Sequence, residues 1–440
     1  MNNVNIKIIK ELKNFVRSIA ENKVLLDKFT CFEGDFTRNR KLPLTTVILM
    51  ITKLCKKTLS VEIEQFFEDM GVSMTCSVSA FCQQRHKLSG SFFYCWNNVL
   101  CYYFYLLYGN KVKRWREYRV LACDGSSVSL VNRPALKEYF GGQSNQHGDF
   151  VMGKTFYCYD VLNKLVVHSY LAPYRYGEVP MAYQHVDWLQ SDMLMIYDRN
   201  FYNYKMIALH QWQEREIKFV IRAKEKLPMI ASFIASGEAS AIVQLLPGTA
   251  AIEGLRDSGY IVSKTTALTV RLVRVELSDS IEVLATNLWE HEGYSSDEFK
   301  DIYFMRWGIE TNISFQKNIL QVEAFSGVKV NTVLQDFYAT MFINNLHSIL
   351  IKEAQQTVDH NRTANKYPLK INNNKSFGML RKQLVSLFYK NDPQLILQHL
   401  HDHFIRDPLP VRKGRSFERI RKNPQNRSKH RMFTNFKPSY

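Results

Sequence analysis

Tyr303, Arg306, Glu310 and Lys317 fall at successive intervals of three, four and seven residues. On a helix turning about 100° per residue, these offsets set all four within an arc of about 60°. Ile309, Ile313 and Leu320 form an apolar stripe beside them, so such a helix buries one edge and presents an acid flanked by an aromatic ring and two cations. That face suits bound phosphates around a metal ion. Spacing alone favours a solvated face with an i,i+4 ion pair from Arg306 to Glu310. Two aspartates upstream tip the reading the other way. Arg119-Val-Leu-Ala-Cys123 reads as a buried strand that delivers Asp124 ahead of Gly125-Ser-Ser127, and Met193-Leu-Met-Ile-Tyr197 does the same for Asp198 ahead of Arg199-Asn-Phe-Tyr202. Each alone reads as an ordinary turn or helix-cap aspartate. An ionised carboxylate at the end of a buried strand is costly, however, unless it is paired or bound to a cation. Two strand-end aspartates and a helix-borne glutamate supply what a pair of hard divalent cations needs: oxygen ligands on rigid elements, with open positions left for phosphate and water.

The order Asp124, Asp198, Glu310, with Tyr303-x2-Arg306-x3-Glu310-x6-Lys317 around the glutamate, resembles the bacterial DDE transposases of insertion-sequence family four, whose Tyr-Arg-Glu-Lys signature has this spacing. The Asp124-Gly-Ser start, the Asp198-Arg-Asn-Phe-Tyr block and the Ala285-Thr-Asn-Leu288 strand also look like that family, over a span from about residue 30 to residue 350. The resemblance implies an α/β fold: a ribonuclease H-like mixed-sheet core interrupted by an all-β insertion, with an all-α N-terminal domain and a helical C-terminal region. It implies cut-and-paste movement of the enzyme's own element, with double-stranded DNA as terminal inverted repeats and as target, and a homodimer holding two ends. By the same resemblance Asp124 bridges two Mg²⁺ ions, with Mn²⁺ able to substitute, while Asp198 holds one and Glu310 the other. Tyr303, Arg306 and Lys317 then grip phosphates around the scissile bond, and Arg199 also contacts DNA. One departure concerns the insertion, which in the best-studied relatives carries a tryptophan that stacks on a flipped base near a hairpinned end. The matching position here is Glu282. Trp289 and Trp307 are the nearest aromatics of that kind, with Trp307 expected in the core. Asp187, Asp192 and Asp301 match no motif position and are expected to be solvated.

The elements that must position these residues follow from periodicity. Residues 1–115 show helical patterning over Ile6–Asn22, Thr45–Leu54, Ser60–Met70, Ser77–Leu88 and Phe92–Tyr108, with breaks at Leu42-Pro43 and Gly71-Val-Ser73. In the family such a module contacts the element's ends. Arg38, Arg40, Lys41, Lys53, Lys56, Lys57, Arg85 and Lys87 are candidate phosphate contacts within it, though each alone reads as a surface charge. Residues 116–222 give three strands, a helix, a strand, a helix and a strand, the ribonuclease H-like order. Residues 223–290 read as the β-strand insertion, too long for a loop, and 291–350 as the second part of the core with the glutamate helix. Residues 351–440 read as a helical region ending in a basic tail with Arg412, Lys413, Arg415, Arg419, Arg421, Lys422, Arg427, Lys429 and Arg431, either a nonspecific DNA grip or a solvated tail.

Composition is consistent with this organisation. The chain has 440 residues, 46% apolar and 13% aromatic, enough for two or three cored domains. Lys and Arg number 58 against 41 Asp and Glu, a formal +17 that favours a polyanionic partner. The eight cysteines form neither a CxxC pair nor a zinc spacing and are expected to be mostly small buried hydrophobes in a reducing cytosol. No export signal opens the sequence and no stretch reaches the roughly 20 apolar residues of a membrane span. A bacterial, nucleoid-associated location without a membrane partner is therefore expected. Two other functions stay open: a metal-dependent nuclease of the same fold that does not transpose, and a catalytically silent DNA-binding derivative.

Overall fold

The computed structural model describes residues 3–38, 41–53, 56–146, 148–214, 216–278, 280–361 and 366–412. Six helices come first: α1 (Asn3–Glu21), α2 (Lys23–Phe29), α3 (Leu44–Thr52), α4 (Leu59–Met70), α5 (Val78–Arg85) and α6 (Ser91–Tyr108). Then follow β1 (Arg119–Ser129), α7 (Pro134–Phe140), β2 (Gly142–Asn145), β3 (Gly148–Asp160), β4 (Leu165–Pro173), α8 (Glu178–His185), β5 (Met193–Tyr197), α9 (Tyr204–Gln211) and β6 (Lys218–Arg222). The remainder is α10 (Pro228–Ser236), β7 (Ser240–Leu245), α11 (Thr249–Arg256), β8 (Leu268–Glu276), β9 (Ile281–Thr286), α12 (Phe299–Phe304), α13 (Trp307–Asn318), α14 (Val330–His360), α15 (Asn373–Tyr389) and α16 (Gln394–Phe404). Among the described residues no helix is long and apolar enough to cross a membrane.

The chain divides into two compact units. One comprises the described residues of Met1–Lys111, Val128–Gly153 and Ser314–Tyr440. It is held by α6 and α14, whose apolar faces meet through Trp96 stacked on Phe342, with ring centroids 3.9 Å apart and planes at 8°. The aromatic run Phe92–Tyr108 is thus a core helix, with Phe92, Phe93, Trp96, Leu100 and Phe104 buried. Gly71 ends α4 in the left-handed region at φ 71°, which glycine enters without steric cost. Several basic residues singled out as phosphate contacts have structural partners instead. Arg85 is buried against Asp336, Lys53 is buried and paired with Asp69 at 2.7 Å, and Lys56 donates to the carbonyl of Ala324. Arg38, Lys41 and Lys57 are exposed. Arg40 and the basic tail beyond Arg412 lie outside the described residues.

The second unit, Val112–Ser127 with Lys154–Ile313, carries the sheet. Strands run in the order β3-β1-β5-β6-β9-β8-β7, with β4 on β3. β1, β5 and β6 are parallel neighbours, and β9, β8 and β7 continue the sheet antiparallel. All five residues of β5 are buried, the mark of a parallel strand covered on both faces. Val120, Leu194, Ile196, Val220, Val273 and Leu284 form one core with Phe299, Ile302 and Tyr303 of α12, which fixes α12 against the sheet. The expected all-β insertion needs correction. The segment holds two helices besides its strands: α10 opens on Pro228 at its first turn and stops at Gly237 in the left-handed region, and α11 follows. Its strands extend the central sheet through the β6–β9 pairing rather than forming a separate layer. Among the described cysteines Cys101, Cys123 and Cys158 are buried, Cys31 is exposed and Cys76, Cys82 and Cys95 are half-buried, so burial is less general than expected.

A second cluster packs in the same unit. His168 of β4 stacks on His185 of α8 at 4.2 Å, His185 stacks on Trp188 at 4.9 Å, and His210 of α9 bonds Tyr197 Oη at 3.2 Å. Both ring nitrogens of His185 are buried without a partner among the described residues. Burial pushes His168 and His210 down to about 4 and lowers His185 as well, whereas an unfolded histidine titrates near 6.5. The folded form therefore binds fewer protons than the unfolded form between those values. Stability present above about pH 6.5 should be lost as pH falls toward 4. Urea midpoints measured from pH 7.5 to 4.5 should decline, and His185→Phe should flatten the decline. An unchanged slope in that variant would show that His185 does not contribute to the acid sensitivity.

Candidate active site

The parallel pairing of β1 and β5 sets the geometry. Arg119 lies opposite Met193 and Ala122 opposite Ile196, and two residues further along each chain come Asp124 and Asp198. Asp198 therefore follows the last residue of β5, whereas Asp124 lies within β1, which does not end there as expected but runs on to Ser129. The shared register still sets the two acids at one level just past the paired stretch, on strands about 4.8 Å apart. This end of an open α/β sheet is where ligands bind as a rule. Each aspartate accepts from a nearby backbone amide: Asp124 Oδ1 from Gly125 within β1 at 2.8 Å, and Asp198 Oδ1 from Asn200 in the turn that it caps, also at 2.8 Å. Burial raises the proton affinity of Asp124 to about 6, and the neighbouring charges of Asp198 and Glu178 add to it, while Arg306 acts against them. These are like charges gathered at one place.

Arg306 joins the aspartates to the glutamate. Its guanidinium is buried, pairs with Glu310 Oε1 at 2.7 Å and lies over the rings of Tyr303 and Trp307 at 5.7 and 5.0 Å. Its Nε is buried with no hydrogen-bond partner among the described residues, a donor suited to a phosphate oxygen. Tyr303 is buried too, its hydroxyl pushed up to about 12 mainly by burial. The single helix expected over these positions is in fact two. Backbone bonds from Arg306 N to Tyr303 O and from Ile309 N to Arg306 O close tight i,i+3 turns between α12 and α13, so Tyr303 lies in the last turn of one helix, Arg306 occupies the turn, and Glu310 and Lys317 ride the next. Lys317 is partly buried in the last turn of α13.

The structure thus gathers Asp124, Asp198, Tyr303 and Arg306, with Glu310 attached through Arg306. Arg199 is exposed in the short turn after Asp198. Trp289 is half-buried and stacks on His291. Trp307, expected in the core, is 45% exposed, because the turn at Met305–Arg306 redirects its helix. Glu282 pairs with Arg222 at 2.6 Å beside Tyr303. Asp192 is not solvated as expected: it is bound by Arg119 and Arg114 at 2.6 and 3.1 Å. Glu178 beside Asp124 went unmarked in the sequence, where only its place at a helix start was visible.

Among the described residues no three His, Cys, Asp or Glu side chains close around a point that would hold a metal ion. The donor set itself fits a hard divalent cation, since it consists of carboxylate oxygens carried on regular elements, Asp124 in β1, Asp198 after β5 and Glu310 on α13. Glu310 is engaged by Arg306 rather than turned to the aspartates.

The family model described as a transposase DDE domain matches residues 115–346, a span that contains Asp124, Asp198 and Glu310. No curated protein matches the sequence. Among solved structures the chain is similar to a piggyBac transposase in a cryo-EM synaptic complex with hairpin DNA, at 12% identity and a TM-score of 0.39, over 96% of this chain and 87% of that one.

Proposed function

This chain belongs to the transposase DDE domain family, and on that premise we propose that it catalyses cut-and-paste transposition of its own insertion sequence through a ribonuclease H-like core of the insertion-sequence family four type. The observation that carries the reading is the level placement of Asp124 and Asp198 by the β1–β5 register, with Arg306 and Glu310 alongside. In this reading residues 1–115 bind terminal inverted repeats, and the core cleaves the ends and joins the 3′ ends to target DNA. Asp124, Asp198 and Glu310 would hold two Mg²⁺ ions, with Mn²⁺ able to substitute, and the ions supply charge neutralisation and an activated nucleophile when bound.

The protein's own contribution is positioning. Asp124 and Asp198 present anionic oxygens on strands that cannot shift independently, which keeps an in-line geometry fixed. Arg306 offers Nε to a non-bridging phosphate oxygen while its Nη2 holds Glu310. The Tyr303 hydroxyl stays protonated at neutral pH and so can donate to phosphate. By the family signature Lys317 and Arg199 would each contact a DNA phosphate. With Glu282 tied to Arg222, base stacking during any hairpin step would fall to Trp289 or to the exposed Trp307.

Both flanks must be cut, so the active species is expected to be a dimer with one site per end. Mixing wild-type chain with Glu310→Gln should depress double-end excision more steeply than it dilutes active subunits. A linear decline, together with a single-end complex fully competent to cleave, would favour a non-transposing nuclease instead.

A further inference from the structure

We propose that Glu178 is a fourth acidic residue of this site, a carboxylate ligand toward the divalent ion that Asp124 would hold. The inference rests on the metal-site reading above and extends it to a residue outside the three-acid set. Glu178 is the first residue of α8. Its side chain runs over Gly125: a β-carbon built there would lie 2.1 Å from its Cγ, 2.4 Å from its Cδ and 2.7 Å from its Oε1. Glycine at 125 therefore lets a glutamate from another element lie directly on the backbone next to Asp124. Any side chain at that position would displace it.

Charge counting points the same way. Asp124, Asp198, Glu178 and Glu310 make four carboxylates. Against them stand Arg306, paired with Glu310, and Lys154, paired with Glu178 Oε1 at 3.2 Å. Four minus two leaves two negative charges for divalent cations to offset. A glutamate has a flexible stem and could turn its charge to water. Holding it beside Asp124 is unfavourable unless a cation offsets the group. The plain alternative is that Glu178 serves only as the counter-ion that ties Lys154 and α8 to the sheet.

Mn²⁺ titration of the DNA-free full-length chain by calorimetry separates these. Glu178→Gln keeps size and hydrogen-bonding capacity but removes the charge, and should weaken Mn²⁺ binding about tenfold or more with an unchanged urea midpoint. Glu178→Asp, which keeps the charge, should recover part of the affinity. Lys154→Met removes only the counter-ion and should leave Mn²⁺ affinity unchanged or tighter. If Glu178→Gln binds Mn²⁺ within twofold of wild type while Asp124→Asn binds it weakly, Glu178 is a structural partner of Lys154 and the proposal fails alone. If Asp124→Asn is also unaffected, the metal-site reading fails and takes the proposal with it.

Discussion

Replacing Asp124 or Asp198 by Asn, or Glu310 by Gln, is expected to lower strand cleavage on purified end DNA by about a thousandfold or more, equivalent to about 4 kcal/mol of lost transition-state stabilisation. Binding to the same DNA should change little, because each substitution removes one anionic oxygen and almost no contact surface. The three variants should differ in one respect. Glu310→Gln also releases Arg306 from its 2.7 Å ion pair, so DNA binding could tighten as the guanidinium gains freedom to meet phosphate. Gel-shift titrations beside nicking assays would read both effects. Near-wild-type nicking by any one variant would remove that residue from the site.

The second large effect concerns stability. Arg85 is buried and bonded through all three of its side-chain nitrogens, with Nη2 to Asp336 Oδ1 at 2.9 Å, Nε to Gln335 Oε1 at 2.9 Å and Nη1 to Ser326 Oγ at 2.8 Å. Arg85→Met would strand the Asp336 carboxylate among groups that cannot neutralise it. Breaking a buried pair from one side typically costs about 3–5 kcal/mol, so the urea midpoint should fall sharply. The double variant with Asp336→Asn should regain part of the loss, since no charge is then left uncompensated. A shift below about 1 kcal/mol in the single variant would mean that water or a neighbouring cation serves Asp336 instead.

What could be read in advance divides along physical lines. Asp124 and Asp198 were legible because an acid at the end of a fully apolar run is a local signal. The spacing of Tyr303, Arg306, Glu310 and Lys317 was also visible, but periodicity does not report that the backbone tightens at Met305–Arg306 and divides the helix. Periodicity does not set α10 and α11 apart from the alternating strands around them, although Pro228 and Gly237 mark the bounds of α10. Arg85, Lys53 and Asp192 carry no sign in the sequence that they are pinned by partners. Glu178 belongs with them, since its relation to Gly125 exists only once β1 and α8 are packed.

The register of β1 on β5 has a consequence for which sequence changes the site can absorb. The level of Asp124 with Asp198 depends on how many residues separate each acid from the paired positions Arg119 and Met193, and much less on which apolar residues intervene. Val120, Leu121 and Ala122 can therefore trade identities within the volume that the core allows. Deleting or inserting a single residue between Arg119 and Asp124 would turn the aspartate to the opposite face of the sheet and leave every acid in the chain intact but unable to meet. Substitution tolerance and length tolerance thus come apart in this strand: an in-frame gain or loss of one codon would be as damaging there as the loss of the acid itself.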